Sequence, residues 1–556
     1  MRTKTVRGAT IIALSGALAL SACAQSDRDT GGDNGSNARD VIVFAASADP
    51  TTLDPAFASD GETFRVTKQI FEGLIDLKPG STEVVPELAK SWDTSADGKA
   101  WTFHLQEGVK FTDGTPFDAA AVCANFDRWY NWKGLLTQNQ SLSYYWQTVF
   151  GGFATKDNPD APATSLYQSC DATDASTAVI HLTSPSSAFL PALSVSAFGM
   201  QSPTAMQKYE ADKITGTGDA PKFAGAYWDQ HPTGTGPYMF SKWEHGTQVE
   251  LVRNDNYWGN KAKTQRLVFV TKPDVNDRKQ SLQGGTIDGY DNVSPGDIDA
   301  LKTDGFQVPL RPPLSLGYIG FNLAQPPMDN LKIRQAFAYA VNRDALVKAK
   351  YPPGAEVAKE FLPRALAGYT DDVPSYDYNP DKAKQLIAES GVKNPTIELA
   401  YPTDVSRPYM PVPQDNWSLI KADLEKVGFT VKKASDPWSP DYLRKYQAGE
   451  YQSYLIGWNA DYADTDDFLG VFFRDISPQF GWDDANVRDL LAKARAETDP
   501  DQRASIYEQA NKEIMTQLPG LPYVLVGSAV ALSKDVHGFV ATPVTGNEDF
   551  STVTVG

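Results

Sequence analysis

From Val41 almost to the C-terminus, short apolar runs alternate with stretches in which apolar positions recur every three or four residues. Val41-Ile42-Val43-Phe44 reads as a strand, and so does the buried-type run Tyr454-Leu455-Ile456. Trp101, Phe103 and Leu105 alternate with polar neighbours, and Asp97-Gly98 and Asp113-Gly114 mark turns on either side. Ile333, Ala336, Phe337 and Ala340 share one helical face, the spacing of a core-facing helix. Ala383 to Ser390 and Asn416 to Val427 predict two more helices, stopped by Gly391 and Gly428. Asp499-Pro500 opens a helix running from Gln502 towards Thr516. A further helix-like segment, Thr63 to Ile70, follows Ser59-Asp60-Gly61, where Ser59 or Asp60 could cap it and its exposed amides could face a ligand. Strands alternating with helices predict α/β lobes.

At 556 residues the chain exceeds one core, so two or three domains are expected. The formal net charge is -18 and there is no basic block, which argues against nucleic acid and against a polybasic membrane patch. The N-terminus carries Arg2, Lys4 and Arg7 ahead of an apolar run from Ala9 to Leu20, a secretory signal too short for a comfortable transmembrane span. It ends in Leu20-Ser21-Ala22-Cys23, which resembles a bacterial lipobox and implies cleavage before Cys23 and lipidation of its sulfur. Removal of those three positive charges takes the balance from -18 to -21. Residues 23–39 are small and polar, a flexible tether with nothing to bury. In an oxidising compartment the remaining cysteines, Cys123 and Cys170, either pair or stay as buried thiols. A bridge would contribute about 3–4 kcal/mol by closing a long loop.

Chemistry gathers in Gly457-Trp458-Asn459-Ala460-Asp461-Tyr462, followed by Asp464, Asp466 and Asp467. A carboxylate beside aromatic walls at a strand end suits a substrate ammonium. The three later aspartates lack the glycine-punctuated spacing of a calcium loop and read as a solvated turn. The histidines, His104, His181, His231, His245 and His537, show no metal-ligand spacing, so no metal or other cofactor is expected. No Gly-x-Ser-x-Gly elbow, His-Glu-x-x-His or Walker lysine loop is present, which argues against an enzyme. Carboxylate count alone leaves a glycosidase pair open.

Several ordered blocks carry a family resemblance. They include Trp92, Trp101 to Leu105, Gly108-Val109-Lys110-Phe111, His231 to Tyr238 with its Gly234-Thr235-Gly236-Pro237-Tyr238 turn, Asn256-Tyr257-Trp258-Gly259, Leu282 to Asp288, and Leu331 to Arg343. Together they resemble family 5 extracellular solute-binding proteins, the peptide, dipeptide and nickel receptors of ABC importers. The resemblance implies a two-lobed α/β fold of the periplasmic-binding-protein type (type II, cluster C) with an extra inserted domain. It assigns 40–77, 202–310 and 523–556 to lobe 1, 78–201 to the inserted domain and 311–522 to lobe 2. Ligands in such folds lie in the cleft between lobes, at strand ends.

Ser406-Arg407-Pro408-Tyr409 and the Gly457 run resemble the dipeptide-binding branch, which places the peptide carboxylate on Arg407 and the α-ammonium on Asp461. Trp458 and Tyr462 would wall the backbone, with Ser59 and Gly61 contributing from the first helix. The expectation is a lipid-anchored monomer outside the cytoplasmic membrane that delivers short peptides to an ABC permease and its ATPase. A sugar oligomer, nickel chelate or haem is the alternative ligand, and a secreted hydrolase the remote one. Met410-Pro411-Val412-Pro413 replaces a more basic region beside Arg407, so carboxylate recognition could relax and admit longer peptides.

Overall fold

The computed structural model describes residues 39–556, apart from 157, 159, 160, 163 and 219. The export segment, Cys23 and the tether up to residue 38 lie outside the described residues. Arg39 already belongs to the folded body: its N–H donates to the Val555 carbonyl at 2.7 Å and its guanidinium meets Asp288. No helix among the described residues is long and apolar enough to cross a membrane.

Two larger sheets organise the chain. The first has six strands, with Val41–Ala46 parallel to both Arg266–Thr271 and Gly289–Tyr290. The second has five strands in the order Thr430–Asp436, Thr396–Pro402, Ser453–Asn459, Ser315–Phe321, Gly520–Val526. Within it the first three strands run parallel, so Pro402, Asp436 and Asn459 end at one edge. Every residue of Gly520–Val526 is buried and the strand stays in this sheet to its end, so the chain returns to the first sheet after residue 526 rather than at 523.

Apolar spacing placed the helices for a physical reason. Leu331–Ala340 buries Ile333, Ala336, Phe337 and Ala340 against the second sheet, at the positions its periodicity marks. Pro380–Ser390 and Pro413–Val427 each start with proline and stop at a glycine in left-handed conformation, Gly391 at φ 76° and Gly428 at φ 107°. Pro500–Gln517 is capped by Asp499, whose side chain accepts from the Asp501 and Gln502 amides.

A four-stranded antiparallel sheet, Ala89–Thr94, Ala100–Leu105, Thr177–Leu182 and Tyr167–Asp174, carries its own aromatic core. Trp129, Trp146, Phe150, Tyr167 and Phe198 fill it, with Trp146 and Phe150 stacked at 4.3 Å. A Cys123–Cys170 disulfide ties the helix Ala119–Tyr130 to the strand Tyr167–Asp174.

The chain passes between the two larger sheets twice, after Tyr290 and after Val526. The passages touch: the Arg311 N–H donates to the Ser528 carbonyl at 2.9 Å and its Nε to Ser528 Oγ at 3.0 Å. Beside them lies a buried ion network in which Arg65 and Arg311 share Asp291 and Glu548. Each buried charge there has an opposite neighbour, which is what makes its desolvation tolerable.

Candidate ligand-binding site

Arg407 and Asp461 follow strands that are neighbours in the second sheet and run the same way, Thr396–Pro402 and Ser453–Asn459. Both residues therefore leave the same edge of the sheet, on adjacent loops. Gly457 brings the loops into contact. A Cβ at this position would stand 2.4 Å from the Tyr409 ring, so only glycine lets Tyr409 lie against the strand. The Tyr409 carbonyl accepts from the phenols of Tyr351 and Tyr523, each at 2.8 Å, which fixes the Arg407 loop in place. The Arg407 guanidinium sits 5.3 Å above the Trp438 ring and has no carboxylate within ion-pair distance among the described residues.

The aspartates of the second loop divide into two kinds. Asp464 is held by both terminal nitrogens of Arg503 at 2.8 and 2.6 Å, and Asp466 by Arg474 at 3.0 and 2.8 Å, with Arg495 at 3.9 Å. Burial pushes Asp466 up, but Arg474 and Arg495 bring it below the ordinary carboxylate range. Asp467, wholly buried, accepts from the Asp461 N–H at 2.8 Å and from the Trp458 indole at 3.4 Å, and no cation reaches it. The solvated turn expected for these three is thus corrected: they are 5%, 2% and 0% exposed, and arginines from the following segments neutralise two of them, Arg503 at Asp464 and Arg474 with Arg495 at Asp466.

Asp461 stays partly exposed at the site. Its Oδ1 accepts from the Tyr145 phenol at 3.0 Å. Burial raises its pKa to about 7, with the phenol pulling the other way, and burial together with Asp461 pushes Asp467 well up. Three guanidinium groups answer Asp464 and Asp466, whereas neither Asp461 nor Asp467 has a cation within ion-pair distance among the described residues, which leaves an ionised Asp461 without a partner of opposite charge. That is the electrostatic demand of one ammonium group.

The remaining expected residues are sorted by the structure. Trp458 is half-buried, its ring edge-on to Phe472 at 5.8 Å and its indole N–H turned to Asp467, so it walls the acidic pocket. Tyr462 is only 4% exposed and packs into the aromatic core of the four-stranded sheet, so its ring is an anchor rather than a cleft wall. Asp60, not Ser59, caps the helix Gly61–Thr67, accepting from the Thr63 amide at 2.9 Å, because its carboxylate also reaches the Thr63 hydroxyl. Ser59 is exposed, and Gly61 lies close against Thr545. Among the described residues no group of three or more His, Cys, Asp or Glu is placed to hold a metal ion.

Residues 83–477 match the model of the bacterial extracellular solute-binding proteins, family 5. The chain belongs to that family. It is 31% identical over 531 residues to the dipeptide-binding protein of Escherichia coli, covering 93% of this chain and 94% of the relative. It is 30% identical over 545 residues to heme-binding protein A of Haemophilus influenzae, covering 96% and 97%. Among solved structures, a periplasmic binding protein from Helicobacter pylori in complex with the peptide STSA superposes with a TM-score of 0.73 at 26% identity, covering 93% of this chain and 98% of that one. The fold is accordingly the two-lobed α/β architecture of this family with its additional domain.

The family blocks prove to be scaffold. A Cβ on Gly236 would fall 2.6 Å from the Gln69 carbonyl, so the Gly-Thr-Gly turn packs directly on the backbone of residues 69–70. Thr235, Tyr257 and Trp258 all donate to the buried Glu72 carboxylate, which joins two blocks. Glu72 escaped the sequence reading, as did Tyr145 and the arginines Arg474, Arg495 and Arg503. A lone tyrosine 316 residues from its carboxylate leaves no local signal.

Proposed function

We propose that this protein is the extracytoplasmic receptor of an ABC importer and captures short peptides with a free amino terminus. The observation that carries the reading is the Asp461–Asp467 pair, joined at 2.8 Å with no cation within ion-pair distance of either among the described residues. Asp461 takes the α-ammonium and Arg407, on the adjacent loop, takes the carboxylate through a two-point guanidinium pair. The two loops leave neighbouring strands, about 4.8 Å apart in a sheet, so side-chain reach sets their separation and favours ligands of few residues. An extra residue lengthens an extended peptide by about 3.3–3.6 Å, more than a charge-assisted hydrogen bond can stretch. Trp458 and Trp438 supply aromatic walls.

In the same reading the mature chain begins at a lipidated Cys23, is tethered outside the cytoplasmic membrane, acts as a monomer, and passes its ligand to a permease and ATPase. Its lobes comprise roughly 40–77, 202–310 and the C-terminal segment on one side and 311–526 on the other, with 78–201 as the inserted domain. It binds and releases; it catalyses nothing.

Isothermal titration against di-, tri- and tetrapeptides, each with a free and an N-acetylated amine, tests this. Binding confined to free amines supports it, and indifference to acetylation sinks it. The haem-binding relative motivates one further arm. Haem bound with equal affinity by wild type and Asp461→Asn, with no peptide bound by either, would establish the alternative ligand class.

A further inference from the structure

The contact between Tyr145 and Asp461 joins two bodies. Tyr145 lies on the helix Tyr144–Phe150, whose residues pack in the aromatic core of the four-stranded sheet, whereas Asp461 follows a strand of the second large sheet. The Tyr145 ring is 4% exposed and held between Phe64 at 5.6 Å and Tyr144 at 5.0 Å, so its hydroxyl is aimed by packing and does not swing freely. Flanking contacts align the same seam: the Ser187 N–H donates to the Arg495 carbonyl at 2.8 Å, and Arg495 donates to the Val149 carbonyl at 3.1 Å.

The Tyr145 hydroxyl is the one side-chain donor to Asp461 among the described residues. It answers part of the demand that an ammonium would answer in full. At 3.0 Å the two oxygens are in direct contact. A nitrogen needs about 2.7–3.2 Å from each oxygen it binds, so it cannot take the place on Oδ1 that the phenol holds while the phenol is there. We infer that the Tyr145 phenol is a built-in competitor of the ligand: it occupies an ammonium position on Asp461 Oδ1 and adds to the contacts that join the two bodies, and a peptide amine enters by replacing it. This rests on Asp461 being the ammonium partner. Physically, the tie lowers the population of the open, binding-competent state, and apparent affinity falls in proportion.

The test uses the mature protein and the tightest-binding member of a di- and tripeptide panel. Tyr145→Phe deletes one oxygen and keeps the packed ring. The variant should scatter X-rays as a more open particle before peptide is added, bind about tenfold faster and show a Kd about tenfold lower, the scale of one charge-assisted hydrogen bond. Weaker binding would mean that the phenol belongs to the bound site, and unchanged kinetics and scattering would mean that the tie has no influence; either overturns the inference. Asp461→Asn, scattered without peptide, gives a second measure independent of Tyr145: a neutral acceptor loosens the tie and should open the particle in part. Loss of peptide binding by Asp461→Asn with no gain from Tyr145→Phe rejects the inference alone, whereas peptide binding retained by Asp461→Asn rejects the underlying reading.

Discussion

The backbone N–H of Asp461 donates to the carboxylate of Asp467 at 2.8 Å, placing two acids side by side with no arginine for either among the described residues. A few residues away, Asp464 has Arg503, and Asp466 has Arg474 and, at 3.9 Å, Arg495. The loop is therefore neutralised at Asp464 and Asp466 and left without a cation at Asp461 and Asp467 among the described residues.

Asp461→Asn should separate function from stability. The folded pKa of Asp461, about 7, lies above the value near 3.9 of an unfolded chain, so the native state holds the extra proton between those values. Stability contributed by this group is complete at low pH and is lost as pH rises towards 7. The asparagine variant should melt higher than wild type at pH 8 and alike at pH 4, while losing about 2–5 kcal/mol of peptide binding. Melting curves at both pH values and one titration decide it.

Peptide binding itself should depend on pH. An ammonium favours ionised Asp461, so a proton must leave when peptide binds near or below pH 7. Affinity should fall by up to about tenfold per pH unit on the acid side, and fall again above about pH 8 as the peptide amine loses its charge. Titration in buffers of different ionisation enthalpy measures the released proton; none released at pH 6.5 contradicts the assignment.

Arg407 contacts the Trp438 ring and no carboxylate, so it contributes little to folding. Arg407→Ala should leave the melting temperature nearly unchanged and weaken peptides with a free C-terminus by about 1.5–3 kcal/mol. Peptide amides should bind both proteins alike. Equal loss for acids and amides would move the carboxylate elsewhere.

Glu360 offers a test away from the cleft. It is fully buried and accepts from the Thr370 amide at 3.1 Å, and no cation pairs with it among the described residues. Burial raises its pKa to about 8, so the native state keeps its proton there while the unfolded chain releases it above about 4.3. Stability from Glu360 is thus intact in acid and declines as pH climbs through that window. Glu360→Gln should raise the melting temperature by about 2–4 °C at pH 8.5 and by less at pH 5.

A continuous apolar run located the strand before Asp461, whose residues Ser453 to Gly457 are buried on both faces, whereas helical periodicity located Leu331–Ala340, which buries mainly one face. Glycine at φ 76° and 107° explains why two helix ends were readable to the residue. The candidate site was legible only in part. Asp461 and Arg407 could be named, since the branch-like runs lie close around them. Asp464 and Asp466 were misread as solvated because Arg503 and Arg474 reach them from later helices, and local composition cannot show such neutralisation. Tyr462 was misplaced for a similar reason: the core that absorbs it is built from residues before 200.

The paired passages at Arg311 and Ser528 have a mechanical meaning. Two connections bonded to each other at 2.9 and 3.0 Å form one strap, so the two large sheets are tethered at one place rather than two. Any relative movement of the two large sheets is expected to pivot at this strap, and one pair of spin labels, one on each sheet, measures it. Under the proposed function, a peptide amine captured at Asp461 should change the distance between two such labels.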